Sequence, residues 1–281
     1  MTTGPGGTIT IADKTVSRLG LGTMRLTGPG TWRDPADRHK AIDVLRRAVY
    51  EHGITHIDTA DAYGPHSAET LIRDALYPYP DHVLIATKVG MVRPGPNLWA
   101  PLGRPSYLRA AVEGSLRRLG VDALDLCYLH RIDPAVPLTA QVGELASLQR
   151  EGKIRHIGLS KVSTDQISLA LGLTKIAAVQ NVLNISQPHD PALEFCRDHG
   201  IPYVPYRPLD AGRLATPSGI SKPLEWLLQL GEHIAPIPGT SSPQHLAEIT
   251  AACAPSHCRC ADSSAAPMPA RHLRRPGVRA P

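Results

Sequence analysis

Four side chains in the first half of the chain could together move a proton onto an oxygen: Asp58, Tyr63, Lys88 and His130. A tyrosine hydroxyl, with an ordinary pKa near ~10, is a poor acid at neutral pH. A nearby ammonium stabilises the phenolate, lowers that pKa and eases proton donation. Lys88 can supply the charge, and Asp58 can fix the ammonium in place. A histidine such as His130 can hydrogen-bond a substrate oxygen as charge develops on it. Singly, each has a plainer reading: Asp58 as a helix cap, Tyr63 as turn packing, Lys88 as a solvated side chain, His130 as a structural histidine. Those plainer readings lose force if all four meet on one rim.

Short apolar runs alternate with amphipathic ones along the chain. After a hairpin over Thr8–Ile11 and Lys14–Ser17, strands are expected at Leu19–Thr23, Ile54–Ile57, Val83–Thr87 and Leu124–Leu129. Four more are expected at Ile154–Leu159, Ala177–Gln180, Pro202–Tyr206 and Ile234–Ile237. Between them lie helical stripes, such as Leu108, Ala111, Val112, Leu116 and Leu119, which stop at Gly120. About eight βα units in order suggest a closed (β/α)8 TIM barrel, an α/β fold. The rival is a doubly wound sheet, but no G-x-G-x-x-G follows the first strand. Pro205 and Pro236 fall inside expected strands, where each would remove a ladder bond.

In such a barrel the site forms at the C-terminal strand ends. Asp58 and Tyr63 follow the second strand, Lys88 the third and His130 the fourth. Ser160, then Gln180 and Asn181, end the fifth and sixth, Tyr206 ends the seventh, and Gly239 to Ser242 follow the eighth. Trp32, Trp99 and Arg207 fall on rim loops as candidate substrate contacts.

Composition narrows the partners. Of 281 residues 42% are apolar, enough for a sizeable core, while aromatics are 4%, few for a stacking nucleic-acid binder. The net charge of +5 is mostly carried by the C-terminal segment, with five arginines against Asp262 alone from Cys253 onward. The body is nearly neutral, so nucleic acid is not an expected partner. No apolar run approaches the roughly 20 residues of a membrane span, so no membrane partner is expected either. Five cysteines in no framework spacing, and no signal-like N-terminus, fit a cytoplasmic protein, a monomer or weak homo-oligomer.

The segments Asp58-Thr-Ala-Asp-Ala-Tyr63-Gly64, Thr87-Lys88-Val-Gly90 and Leu129-His130-Arg131 resemble the aldo-keto reductase family. So do Leu21-Gly22-Thr23-Met24, the run Gly152 to Ser160 and Ile237-Pro-Gly-Thr-Ser-Ser242, in family order from Leu19 to Ala252. The resemblance implies an NADPH-dependent reductase of a small aldehyde or ketone. Tyr63 would be its acid, Lys88 and Asp58 would tune it, and His130 would orient the carbonyl. It implies that Ser160 and Gln180 hold the nicotinamide carboxamide and that Tyr206 stacks on the ring. Gly22, Thr23 and Met24 would line the nicotinamide end. Gly239, Thr240 and Ser241 would hold the cofactor phosphate, NADPH being preferred over NADH, with His245 at the adenosine end. No metal is expected.

Four features depart from the family. Lys161 and Ile249 stand where Asn is usual, and the Leu209–Lys222 connection is short. Residues 253–281, rich in Pro, Ala and Arg, are expected to form a disordered appendage to a 1–252 barrel. The short connection and the appendage leave a second reading open, a nicotinamide-binding regulatory or catalytically impaired homologue.

Overall fold

The chain enters through an antiparallel hairpin, β1 (Thr8–Ile11) and β2 (Lys14–Ser17), with Ala12 at positive φ in its turn. The structure, a computed structural model, describes residues 4–214 and 219–253. The expected appendage beyond Cys253, with His257, Cys258 and Cys260, lies outside the described residues. Ile11 and Val16 of the hairpin pack onto Leu84, Leu126, Val204 and Ala235 and plug one end of the barrel.

The βα series then follows. β3 (Leu21–Gly22) leads to α1 (Arg38–Arg46), capped by Asp37 and prolonged by a wider turn over Arg47–Glu51. β4 (His56–Asp58) leads to α2 (Ser67–Leu76), and β5 (Leu84–Val89) to an inserted hairpin, β6 (Met91–Gly95) and β7 (Leu98–Pro101). α3 (Pro105–Leu119) starts on a proline, which needs no N–H there, and ends at Gly120 with φ +71. β8 (Leu124–Leu129), α4 (Leu138–Arg150) and β9 (Ile154–Ser160) come next. α5 (Thr164–Leu171) opens on a Ser163–Gln166 capping box and leads to β10 (Ile176–Gln180). α6 (Pro191–Asp198), α7 (Ser221–Gln229) and α8 (Pro243–Ala252) complete the described elements.

The strands pair in parallel in the order β10-β9-β8-β5-β4-β3. The sheet closes through two further segments. Tyr203 bridges Val179 on one side and Ile234 on the other. Gly20 N and Gly22 N then donate to Pro236 O and Pro238 O at 2.9 Å each, joining the last segment to the first.

The expected strands over Pro202–Tyr206 and Ile234–Ile237 are therefore reduced to isolated bridges, with Tyr206 also bridging Val182. Proline explains the loss. Tyr203 N and O both face the eighth segment, so residue 205 faces it too, and its nitrogen carries no hydrogen. Residues 236 and 238 accept from the first strand but, being prolines, give nothing back. The first strand is also shorter than expected, and the β6–β7 hairpin was not expected.

Two apolar layers sandwich the wall. Leu84, Ala86, Leu126, Tyr128 and Ala178 fill the barrel. Leu45, Leu71, Ile85, Leu108, Cys127, Leu145 and Ile157 fill the space between sheet and helices. Gly158 belongs to this design: a Cβ there would meet the Tyr128 ring at 2.4 Å. Cys253 is buried and its carbonyl accepts from Gly6 N at 2.6 Å, so the described chain ends packed against its beginning. Among the described residues no helix is long and apolar enough to cross a membrane.

Candidate active site

Alternation along a strand sends every second side chain into the barrel. Asp58 on β4, Lys88 on β5, Ser160 on β9 and Gln180 on β10 therefore share one layer at the C-terminal rim, with His130 one residue past β8. Tyr63 reaches that layer from the β4–α2 turn, where Ala60 O accepts from Tyr63 N at 3.1 Å. Gly64 makes the turn possible: φ is +83, and a Cβ would lie 2.0 Å from Ser67 Oγ.

Lys88 is 1% exposed and Asp58 2%. The ammonium places all three of its donors: Asp58 Oδ1 at 2.5 Å, Thr59 O at 2.8 Å and Tyr63 OH at 3.3 Å. Because Lys88 donates to the phenol, the Tyr63 O–H is left to point elsewhere. Asp58 Oδ2 accepts from Gln180 Nε2 at 2.7 Å, so the carboxylate is braced from both sides.

Electrostatics overturn the sequence expectation of a lowered Tyr63 pKa. Burial raises its pKa, and Lys88 opposes that rise without reversing it. The phenol is therefore protonated at neutral pH, with an ammonium poised to stabilise the phenolate once the proton leaves. Burial also penalises the Lys88 ammonium, but Asp58 and then Tyr63 outweigh it and leave the pKa raised. His130 is pushed well below the usual histidine range, first by burial and then by Lys88, Arg131 and Arg93. It is a neutral imidazole, with one ring N–H to donate.

Trp99 closes the mouth. Its ring lies edge-on to Tyr63 and to His130, with centroids 6.3 and 6.4 Å away. Met24 joins the same small apolar group with Ala60, Tyr63 and Ala68. Trp32 stands one step back, bridging Gly64 through its backbone. Arg207 is exposed at positive φ, and the fold uses its carbonyl, which accepts from Asn184 Nδ2.

The residues expected to meet a cofactor flank the same rim. Ser160 Oγ accepts from Arg131 Nη1 at 3.0 Å, so its own O–H is available. Arg131 also lies 5.5 Å over the Tyr206 ring. Thr23 Oγ1 is buried without a partner. Gly22 and Gly239 pass so closely that a Cβ on Gly239 would meet Gly22 O at 2.7 Å. Thr240 Oγ1 accepts from Ser242 N, and Ser242 caps α8 through His245 N. Gly239, Ser241 and His245 are exposed there, and a cleft beside Ser241 is lined by Arg25 and Lys40. Arg25 Nη2 also donates to Ala211 O across the rim. Of the departures, Ile249 is 3% exposed in the core and Lys161 is exposed at φ +55.

Two arginines were missed by sequence reasoning. Arg131 had a signal in its place after His130. Arg93 had none, because its role depends on the unexpected hairpin.

The aldo/keto reductase family model matches residues 18–224. An oxidoreductase of Schizosaccharomyces pombe is 45% identical over 85% of this chain and 82% of its own. Pyridoxine 4-dehydrogenase of Escherichia coli is 42% identical over 85% of this chain and 90% of its own. Among solved structures, an aldo-keto reductase from Klebsiella pneumoniae in complex with NADPH aligns with a TM-score of 0.70 at 26% identity, over 90% of each chain. With these matches spanning the barrel and its rim, the chain belongs to the aldo/keto reductase family.

Proposed function

We propose that this protein is a cytoplasmic, NADPH-dependent reductase that converts a small aldehyde or ketone to an alcohol, with Tyr63 as general acid. The observation that carries the reading is the Lys88 ammonium, buried, held by Asp58 and donating to the Tyr63 oxygen. The rim fits a nicotinamide dinucleotide in its donor set. The orphaned Thr23 hydroxyl, the free Ser160 O–H and the bare Gly22–Gly239 crossing suit the nicotinamide end, with Met24, Gln180 and Tyr206 beside them. The remaining Gln180 amide capacity would serve the carboxamide, since Nε2 already donates to Asp58. Thr240, Ser241 and the capped start of α8 suit a phosphate, with Arg25 and Lys40 near and His245 at the outer end.

When bound, NADPH supplies the hydride that the carbonyl carbon receives. His130, neutral, donates its ring N–H to the carbonyl oxygen and orients it. Tyr63 gives its proton to that oxygen as negative charge builds. Lys88 stabilises the phenolate left behind, and Asp58 and Thr59 O keep the ammonium in place. Trp99 excludes water from one side of the reacting oxygen. In reverse, oxidised NADP would be the hydride acceptor, and Tyr63 as phenolate would take the alcohol proton.

Pyridoxal is the first substrate to try, given the pyridoxine 4-dehydrogenase relative. The test is loss of NADPH absorbance with pyridoxal and a panel of reactive aldehydes. Unchanged turnover in Tyr63→Phe would sink the proposal. Tight NADPH binding without turnover of any carbonyl would favour the regulatory or impaired reading instead.

A further inference from the structure

We propose that Arg93 is a positioning residue that sets affinity for the carbonyl substrate by fixing the Trp99 wall beside Tyr63 and His130. The inference rests on the reductase reading above, and its site is that same mouth. Arg93 lies on β6, in the hairpin inserted after the strand that carries Lys88.

Its guanidinium fastens three separate stretches of backbone. Nη1 donates to Thr31 O at 2.6 Å and to Ala62 O at 2.9 Å, and Nη2 donates to Gly30 O at 2.8 Å. Nε donates to Leu98 O at 2.8 Å. The β3–α1 loop, the β4–α2 turn and the tip of the hairpin are thus tied to one planar group. Ala62 is the residue before Tyr63, and Leu98 is the residue before Trp99. The same plane stacks on the Trp99 ring at 3.6 Å and lies 5.7 Å from Trp32. Apart from Arg93, the described bond from the hairpin tip to the β3–α1 loop is Asn97 N to Gly30 O.

The shape of the group matters. A guanidinium sends rigid donors in several directions from one plane and can stack at the same time. A lysine keeps the charge but gathers its donors on one nitrogen, so it cannot hold three segments and a ring together. No carboxylate pairs with Arg93 among the described residues, so its work is done through carbonyls and an aromatic face. Ser160, Gln180 and Gly239 are not among its contacts, so cofactor affinity is expected to be spared.

The test compares Arg93→Lys with wild type in the full chain. The expected result is a rise of about tenfold in KM for pyridoxal or another accepted aldehyde, with NADPH Kd within about twofold. Turnover at saturation is expected to fall less than KM rises. Trp99→Leu is expected to raise KM likewise, and the double variant to add nothing, since both act through one wall. Unchanged KM in Arg93→Lys, additive effects in the cycle, or a parallel loss of NADPH affinity overturns the proposal. A second readout is independent of turnover. In a Trp32→Phe/Trp226→Phe background, Trp99 is the sole tryptophan, and Arg93→Lys is expected to increase its quenching by acrylamide. Equal quenching overturns the positioning role even if the wild type reduces no carbonyl, and absent wild-type turnover by itself defeats only the reductase reading.

Discussion

From β3 to β10 the barrel wall is a run of parallel ladders, whereas its last two segments touch their neighbours at isolated bridges. The ladder wall carries Asp58, Lys88 and Ser160, and its edge strand carries Gln180. The bridged wall carries Tyr206 and leads to Thr240 and Ser241. Proton transfer needs groups held within a fraction of an ångström, which a hydrogen-bonded strand supplies. Binding an extended cofactor draws on backbone and hydroxyl donors at loop ends, where a regular ladder is not required. Prolines at 205, 236 and 238 thus cost ladder bonds on the wall that carries neither Asp58 nor Lys88.

The sharpest way to break this comparison is at the ladder wall. Tyr63→Phe removes the proposed acid, which meets that wall through the Lys88 ammonium, and is expected to lower kcat by about 10²–10⁴-fold with NADPH binding retained. Steady-state rates and a cofactor titration check it. Asp58→Asn leaves the Lys88 ammonium buried without its anion, and such breaks cost about 3–5 kcal/mol. Urea unfolding is expected to show that loss, and an unshifted midpoint would mean that Thr59 O and the Tyr63 hydroxyl alone can hold the ammonium.

A third prediction concerns pH. His56 lies under Asp58 in the same wall, fully buried, with neither ring nitrogen partnered. Burial lowers its pKa from 6.5 to about 4, Asp58 opposing and Lys88 assisting. The unfolded chain then binds the proton that the folded chain refuses, so stability falls as pH drops from about 6.5 towards about 4. Between pH 7 and pH 5 the loss from this residue is about 2 kcal/mol. His56→Leu is expected to flatten that part of the urea-midpoint profile. An unchanged slope would assign the acid sensitivity elsewhere.

The smallest effect belongs to the bridged wall. Pro205→Ala restores a donor facing the eighth segment but frees the unfolded chain, and the two nearly cancel to within about 1 kcal/mol. Hydrogen exchange should still separate the walls: Ala235 and Ile237 amides are expected to exchange faster than those of β8. Equal protection would mean that the isolated bridges are as firm as the ladders.

Much of this was legible in the residues. Leu124–Leu129, Leu138–Arg150 and Thr164–Leu171 fall where periodicity and caps place them, because each has a buried stripe and a stop signal. Asp58, Tyr63, Lys88 and His130 were readable as one chemical unit from type and order. The hairpin over Met91–Pro101 was not, since Pro94, Gly95 and Pro96 suppress any strand pattern and its own Arg93 fastens it to segments distant in sequence. The seventh and eighth strands were overestimated, because apolar character marks a segment as buried but does not reveal how many ladder bonds its prolines forgo.

By itself, then, the sequence determined the βα order, the inward layer at the strand ends and the types of side chain that meet at the rim. These follow from periodicity and side-chain type, which are local properties. Tertiary structure decided the protonation states and the mouth. Burial outweighs Lys88 in setting the Tyr63 pKa, and it holds His130 neutral, because desolvation depends on what the whole barrel packs around them. Arg93 met Trp99 only once three distant stretches of backbone had been brought within reach of one guanidinium.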